Sequence, residues 1–119
     1  MKDNIVMNKS FAFAVKIVRL VKDIQDQKKE YLITKQLIRS GTSIGANIRE
    51  GNNAESKPDF IHKLAIAQKE CSETIYWLEL LKETDYITES EFKGVQRDAI
   101  ELIKLLTSIF KTTKANISH

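Results

Sequence analysis

The sequence predicts an all-α fold, an up-down-up-down antiparallel four-helix bundle. Apolar residues recur at spacings of three and four through four separate segments, as in amphipathic helices. The chain has one proline and four glycines, so it has little material for β-turns. A chain of 119 residues forms one domain and buries a core without disulfides or metals. We therefore expect a single domain over 1–119, with helices near 8–24, 30–54, 57–83 and 88–114.

The first predicted helix covers residues 8–24. Four residues at helical spacing form its main apolar stripe: Phe11, Ala14, Val18 and Val21. Lys16 and Arg19 mark the solvated side of this helix. The polar run QDQKK at 25–29 is expected to be a joint.

The second predicted helix, over residues 30–54, contains a run that disfavours helix formation. Residues 40–43 and Gly45 are poor helix formers. Helical spacing nevertheless continues through the run at four apolar residues: Leu37, Ile38, Ile44 and Ile48. Small residues in such a helix indicate that another backbone comes close, so we interpret Gly41 and Gly45 as packing positions.

The third and fourth predicted helices, over 57–83 and 88–114, have clear start signals. Ser56 is followed by Asp59 and Thr88 by Glu91, which is the spacing of a capping box. Helix four then carries one apolar stripe: Phe92, Val95, Ala99, Leu102, Leu106 and Ile109.

Apolar residues outnumber the needs of one core stripe on the first and fourth helices. These surplus residues are Phe13, Ile17, Ile100, Ile103, Leu105 and Phe110. Contiguous exposed apolar patches mark interfaces, which favours a homo-oligomer. The alternative is a wide stripe that is buried inside a monomer.

A polar stripe follows one face of the second helix. Its members are spaced by four, three, four and three residues: Gln36, Ser40, Ser43, Asn47 and Glu50. Across an antiparallel third helix, Glu70 and Glu73 are placed to pair with Arg39. The stripe is either a satisfied polar seam that sets helix register or a surface for a ligand or nucleic acid.

Several classes of function are disfavoured by what the sequence contains. Cys71 is the only cysteine, so no intrachain disulfide forms and a cytoplasmic location is expected. No stretch approaches the roughly 20 apolar residues that cross a bilayer, so no membrane contact is expected. Asp59 and His62 alone have the spacing of a carboxylate–histidine pair, too little for a di-iron bundle. We expect no catalytic residues, no metal and no cofactor.

The chain resembles a known family through motifs spread from KSF at 9–11 to KTTK at 111–114. These include QL at 36–37, RS at 39–40, ANI at 46–48, SK at 56–57, KE at 69–70 and YWL at 76–78. The family consists of small four-helix-bundle proteins encoded by intervening sequences in bacterial large-subunit ribosomal RNA genes, sometimes labelled ribosomal proteins of the S-twenty-three type. The fold is also similar to that of the accessory protein of diversity-generating retroelements. The resemblance implies a closed bundle, commonly a ring-like pentamer, with an RNA or nucleoprotein role and no catalytic residues.

The distribution of charge fits either a role in binding nucleic acid or oppositely charged faces that steer self-association. Residues 1–49 carry ten Lys/Arg and four Asp/Glu, whereas the rest carry nine and twelve, so the two parts have net charges of +6 and −3. We expect a homo-oligomer that binds RNA, or a protein that handles nucleic acid, through phosphate-neutralising cations. The candidates are Lys16, Arg19, Lys22, Lys35, Arg39 and Arg49. The alternative is a protein-interaction scaffold without affinity for nucleic acid.

Overall fold

Four helices account for nearly all of the residues that the structure describes. The structure is a computed structural model that describes residues 2–118, with side chains for 5–114. The helices are α1 (Lys2–Lys28), α2 (Leu32–Asn52), α3 (Lys57–Glu83) and α4 (Glu89–Ser118). Within this part of the chain no strand is present, and each helix packs against its neighbour in sequence, while α1 also meets α4. The all-α four-helix bundle is confirmed.

Contacts between neighbouring helices show that they run antiparallel. Gln25 at the end of α1 donates a hydrogen bond to Thr34 near the start of α2, at 3.1 Å. Between α2 and α3, Ser40 meets Thr74 and Glu50 meets Lys63. Between α3 and α4, Gln68 donates to Thr107 and Cys71 contacts Ala99. In each pair, residues earlier in one helix meet residues later in the next, as the up-down order requires.

The core lies along the centre of the bundle and draws on all four helices. Its largest fully buried aliphatic side chains are Ile17, Val21, Leu37, Ile44, Leu64, Leu78, Leu81, Leu102 and Leu106. Burying one such side chain contributes roughly 1.5–3 kcal/mol. This continuous apolar column holds the surfaces described below in fixed positions.

The face of α1 that enters the core differs from the prediction. Phe13 and Ile17 are 3% and 0% exposed, so these two members of the surplus set belong to the core and not to an interface. Phe11, assigned to the core stripe, is 57% exposed. Both rows of α1 are apolar, and the choice between them depends on α2, where the missing side chain at Gly41 leaves room for Ile17.

The corner between α1 and α2 is shorter than the sequence suggested. The predicted joint at 25–29 is wrong, because α1 continues to Lys28 through residues that form helices well. Lys29 then adopts a left-handed conformation with φ of 55°. The carboxylate of Glu30 accepts hydrogen bonds from the backbone N–H groups of residues 32, 33 and 34, which satisfies the start of α2. Glu30 is therefore a cap and not the first helical residue.

The starts of α3 and α4 follow their sequence signals closely, whereas α1 begins at Lys2 and not at the predicted residue 8. Ser56 accepts a hydrogen bond from the N–H of Asp59 at 3.2 Å, and α3 spans the predicted 57–83. Thr88 and Glu91 form both bonds of the capping box, at 2.9 and 3.1 Å. The second helix ends at 52 instead of 54, and α4 continues from the predicted 114 to 118.

Candidate nucleic-acid interface on α1 and α2

The seam between α1 and α2 is built on glycine. A Cβ atom at Gly41 would lie 2.8 Å from Cγ2 of Ile17, closer than real Cβ atoms come to other atoms. At Gly45 it would lie 3.3 Å from the hydroxyl of Ser10 and 3.5 Å from the Ser10 backbone. The interpretation of Gly41 and Gly45 as close-packing positions is thus confirmed, and the neighbouring backbone is that of α1.

The opposite side of α2 meets α3 through short polar side chains. Ser40 and Thr74 are both fully buried, and the Thr74 hydroxyl lies 2.9 Å from that of Ser40. Each hydroxyl also contacts a carbonyl of its own helix, Leu37 for Ser40 and Glu70 for Thr74. This part of the polar stripe is a satisfied seam between two helices.

Arg39 links the same two helices at the surface. Its guanidinium donates to Glu70 at 3.1 Å and to Glu73, as predicted from the sequence. The hydrogen bond with Glu73 is the main cause that raises the pKa of Arg39 above its ordinary value. Because two carboxylates neutralise this one cation, Arg39 is a poor candidate for binding phosphate.

The remaining members of the polar stripe make mostly local contacts. Ser43 donates to the carbonyl of Arg39, and Asn47 donates to the carbonyl of Ser43 at 2.8 Å. Gln36 accepts a weak hydrogen bond from Arg39 at 3.5 Å, and Glu50 lies 3.9 Å from the ammonium of Lys63. The stripe therefore divides between the buried seam and ordinary helix-surface contacts.

Lys16 is the second candidate cation that pairs with a carboxylate. It forms an ion pair with Asp98 of α4, and Lys9 pairs with Glu101 at 2.5 Å. Both pairs join α1 to α4. Lys16 therefore belongs to the α1–α4 surface.

The four other candidate cations have no carboxylate partner. Within residues 5–114, no carboxylate oxygen lies within 4.0 Å of the charged groups of Arg19, Lys22, Lys35 or Arg49. All four are exposed. The structure thus separates the six candidates into two that are paired and four that are available to a ligand.

Three of these four lie on the outer side of α1 and α2, beside the groove between the two helices, and Arg49 is the one that lines its hollow. Ile17 faces Gly41 and Gln25 bonds Thr34, and this register sets Lys22 level with Lys35. At the other end of the groove, the guanidinium carbon of Arg49 lies 5.8 Å from the centre of the Phe11 ring. Ala14, Thr42, Gly45 and Ala46 line a hollow of about 610 Å³ beside Phe11 and Arg49. We call this feature the α1–α2 groove.

The aromatic residue in this groove was not found by sequence reasoning. Phe11 and Phe13 are both apolar and both fit a stripe, so periodicity does not reveal which of them faces solvent. The one usable signal is Gly41, because a missing side chain on α2 marks where a large α1 residue enters the core. Because Phe11 and Phe13 are two residues apart, their side chains point to different sides of α1. The position of Gly41 therefore favours Ile17 and Phe13 as buried and Phe11 as exposed.

The structure also bears on three other features considered from the sequence: a reactive thiol, a metal site and a membrane-spanning helix. Cys71 is fully buried, and burial raises the pKa of its thiol to about 12, which leaves it a poor nucleophile. Among the described residues, no group of three or more His, Cys, Asp or Glu side chains is arranged to hold a metal. None of the helices, in the range described, has the length and apolar content to cross a membrane.

Comparison with known proteins places the chain in a family. A crystal structure of a protein with unknown function, from the S23 ribosomal protein family of Bacteroides thetaiotaomicron VPI-5482, superimposes with a TM-score of 0.92. The two sequences are 55% identical, and the match covers 93% of this chain and 99% of the other. No curated protein sequence matches. The family model described as 23S rRNA-intervening sequence protein matches residues 2–108, and the chain belongs to that family.

Proposed function

We propose that the protein is a non-enzymatic, homo-oligomeric four-helix bundle that binds RNA through the basic outer face of α1 and α2. The observation that carries the proposal is the set of exposed cations on that face that have no carboxylate partner among the described residues. Such cations bind phosphates without reading sequence, because they contact the backbone of the nucleic acid. The name of the family refers to 23S rRNA, which favours RNA as the nucleic acid.

The structure supports a smaller set of carriers than the sequence suggested. Arg19, Lys22, Lys35 and Arg49 bind phosphate in this proposal. Lys16 and Arg39 instead hold α1 to α4 and α2 to α3 through their carboxylate partners. Asp23 lies one turn after Arg19 and Asp26 one turn after Lys22 on α1, whereas Lys35 and Arg49 have no carboxylate one turn away on α2.

Self-association is assigned to α4. Ile100 is 38% exposed, while Ile103, Leu105 and Phe110 are partly buried and pack against the core, so Ile100 is the member of the surplus set that a neighbouring subunit would cover. The family resemblance sets the expected number of subunits near five. Repeating a modest basic face around an assembly makes binding multivalent, which raises the apparent affinity without any new contact.

The test measures binding to RNA at low and at physiological salt. The native protein is expected to bind RNA of unrelated sequences with similar affinity, and to lose affinity as salt rises, by about 0.7 in the logarithmic slope for each neutralised phosphate of a single strand. A Lys22→Glu plus Lys35→Glu variant is expected to lose most of this binding. Light scattering coupled to gel filtration verifies that each protein assembles, with a mass several times 13.6 kDa.

The matched control changes the same charge elsewhere. Lys57 and Lys111 are exposed and lie away from the α1–α2 groove, and a Lys57→Glu plus Lys111→Glu variant should keep most of the binding. Equal loss in both variants would show that net charge matters and the chosen face does not. A native protein that assembles but shows no salt-dependent binding would leave the protein-interaction scaffold as the better explanation.

A further inference from the structure

The α1–α2 groove contains an aromatic ring that the described residues leave more than half exposed. Phe11 is 57% exposed, although most phenylalanines of soluble proteins are buried. Beside it the groove is lined by Ala14, Gly45 and Ala46, which fill little of the hollow, and by Glu50 next to Arg49. The guanidinium of Arg49 lies over the ring, with its carbon 5.8 Å from the ring centre. A flat apolar ring next to a cation is the arrangement that holds a base and its phosphate.

The cations along the groove are spaced for an extended ligand. Arg49 lies at one end and Lys35 at the other, fourteen residues apart on α2, which corresponds to about 21 Å at the rise of an α-helix. Lys22 of α1 lies level with Lys35, so this end carries two positive charges. A ligand that follows the groove therefore meets a cation at each end and an apolar stretch between them.

We propose that the α1–α2 groove binds single-stranded RNA, with Phe11 as a platform on which one base stacks. In a duplex the bases are stacked on each other and only their edges face the grooves, so a protein ring has no base face to contact. An unpaired strand offers both a phosphate chain for the cations and base faces for Phe11. This inference depends on the RNA binding proposed above and adds the class of RNA and the residue that recognises it.

Stacking on Phe11 is expected to tolerate any base, because every base has a π face. Arg49 then neutralises a phosphate next to the stacked base, while Lys22 and Lys35 neutralise phosphates at the other end. Three contacts of this kind correspond to a salt slope of about −2 per subunit for a single strand. Phe11 contributes to affinity without contributing to that slope.

The experiment compares binding of a twelve-nucleotide oligouridine and an RNA duplex of similar length to the native protein and to Phe11 variants. The native protein is expected to prefer the single strand. Phe11→Ala and Phe11→Leu should each weaken single-strand binding by about 5- to 150-fold with an unchanged salt slope, because stacking on an aromatic ring is lost. Phe11→Tyr keeps the ring and should bind like the native protein.

Tyr76 provides the matched control. It is also 57% exposed but lies on α3, where its ring contacts Trp77 edge-on at 5.0 Å between centroids. Tyr76→Ala should leave binding of the oligouridine unchanged. If Tyr76→Ala weakens binding and Phe11→Ala does not, the platform is Tyr76 and this inference is wrong.

Each further outcome separates this inference from the proposed function. If the Lys22→Glu plus Lys35→Glu variant does not bind RNA while Phe11→Ala binds normally, binding through the basic face is supported and stacking on Phe11 is ruled out. Equal affinity for duplex and single strand would overturn the inference in the same way. If Phe11→Ala instead lowers the mass seen by light scattering, the groove holds a second copy of the chain. Absence of any RNA binding by the native protein removes both proposals.

Discussion

The two sides of α2 solve the same packing problem by different means. Towards α1, the helix omits side chains, and Gly41 and Gly45 let the neighbouring helix come within van der Waals contact. Towards α3, it keeps small polar side chains, and Ser40 meets Thr74 through a buried hydrogen bond. Both solutions require residues that form helices poorly, so the unusual run at 40–45 serves two neighbours at once.

The comparison shows why α2 remains helical despite its sequence. A run with two serines, two glycines and a threonine costs roughly 2 kcal/mol or more of helix propensity relative to alanine. Tertiary packing offsets this cost, because leucine and isoleucine side chains of α2 are buried on both sides of the run. Packing against α1, which we call the glycine side of α2, depends on shape. Packing against α3, the serine side, depends on hydrogen bonding, and substitutions can distinguish the two.

The largest expected effect is on the glycine side. Gly41→Leu should lower the free energy of unfolding by about 3 kcal/mol, because even a Cβ at this position is 2.8 Å from the branched side chain of Ile17. Gly41→Ala should also destabilise the protein, although alanine favours helices. Chemical denaturation monitored by circular dichroism measures both changes.

Gly94 of α4 is the matched control for this effect. A Cβ atom there would meet nothing within 4 Å, so Gly94→Ala gains helix propensity of up to about 1 kcal/mol without a clash. The two Gly→Ala variants are therefore expected to change stability in opposite directions. If both stabilise the protein, close packing does not explain Gly41.

A smaller effect is expected on the serine side. Thr74→Val keeps the shape of the side chain but removes the hydroxyl that contacts the buried Ser40 hydroxyl across the seam, which should cost about 1 kcal/mol. Combining it with Ser40→Ala removes both polar groups, so the double variant should be less destabilised than the sum of the two single changes. Additive losses in denaturation would show that the two hydroxyls do not act as a pair.

The smallest effect is expected at the surface of the same seam. Arg39→Gln removes the ion pairs with Glu70 and Glu73 and should cost about 0.5 kcal/mol, since Arg39 is exposed and solvent screens the pairs. The difference between native protein and variant should shrink at high salt. A loss above about 2 kcal/mol that persists in high salt would place Arg39 among the residues on which the fold depends.

Much of the fold could be predicted because its signals are local. In both the Thr88–Glu91 capping box and the Ser56 cap, the hydrogen-bonded residues are three positions apart in the sequence. Both caps are present in the structure. The start of α2 was missed because Glu30 caps it with a carboxylate that reaches three backbone N–H groups, a role normally taken by shorter side chains.

The surface was harder to predict because it depends on relations between helices. Arg39 was correctly paired with Glu70 and Glu73, since an antiparallel α3 brings them level with it. The pairing of Lys16 with Asp98 joins residues 82 positions apart and left no signal in either helix alone. The orientation of α1, and with it the exposure of Phe11, depends on how one isoleucine fits beside a glycine of another helix.

Cys71 carries the single thiol of the protein, and its reaction with a reagent reports on opening of the α3–α4 seam. Its Sγ donates to the carbonyl of Ala99 inside the α3–α4 seam, and the thiol is fully buried with a pKa of about 12. An alkylating reagent therefore reacts with Cys71 only when the α3–α4 seam opens, and the rate of alkylation reports on that opening. A ligand that binds and stabilises the closed bundle would lower the rate of alkylation of Cys71, whether or not the ligand has been identified.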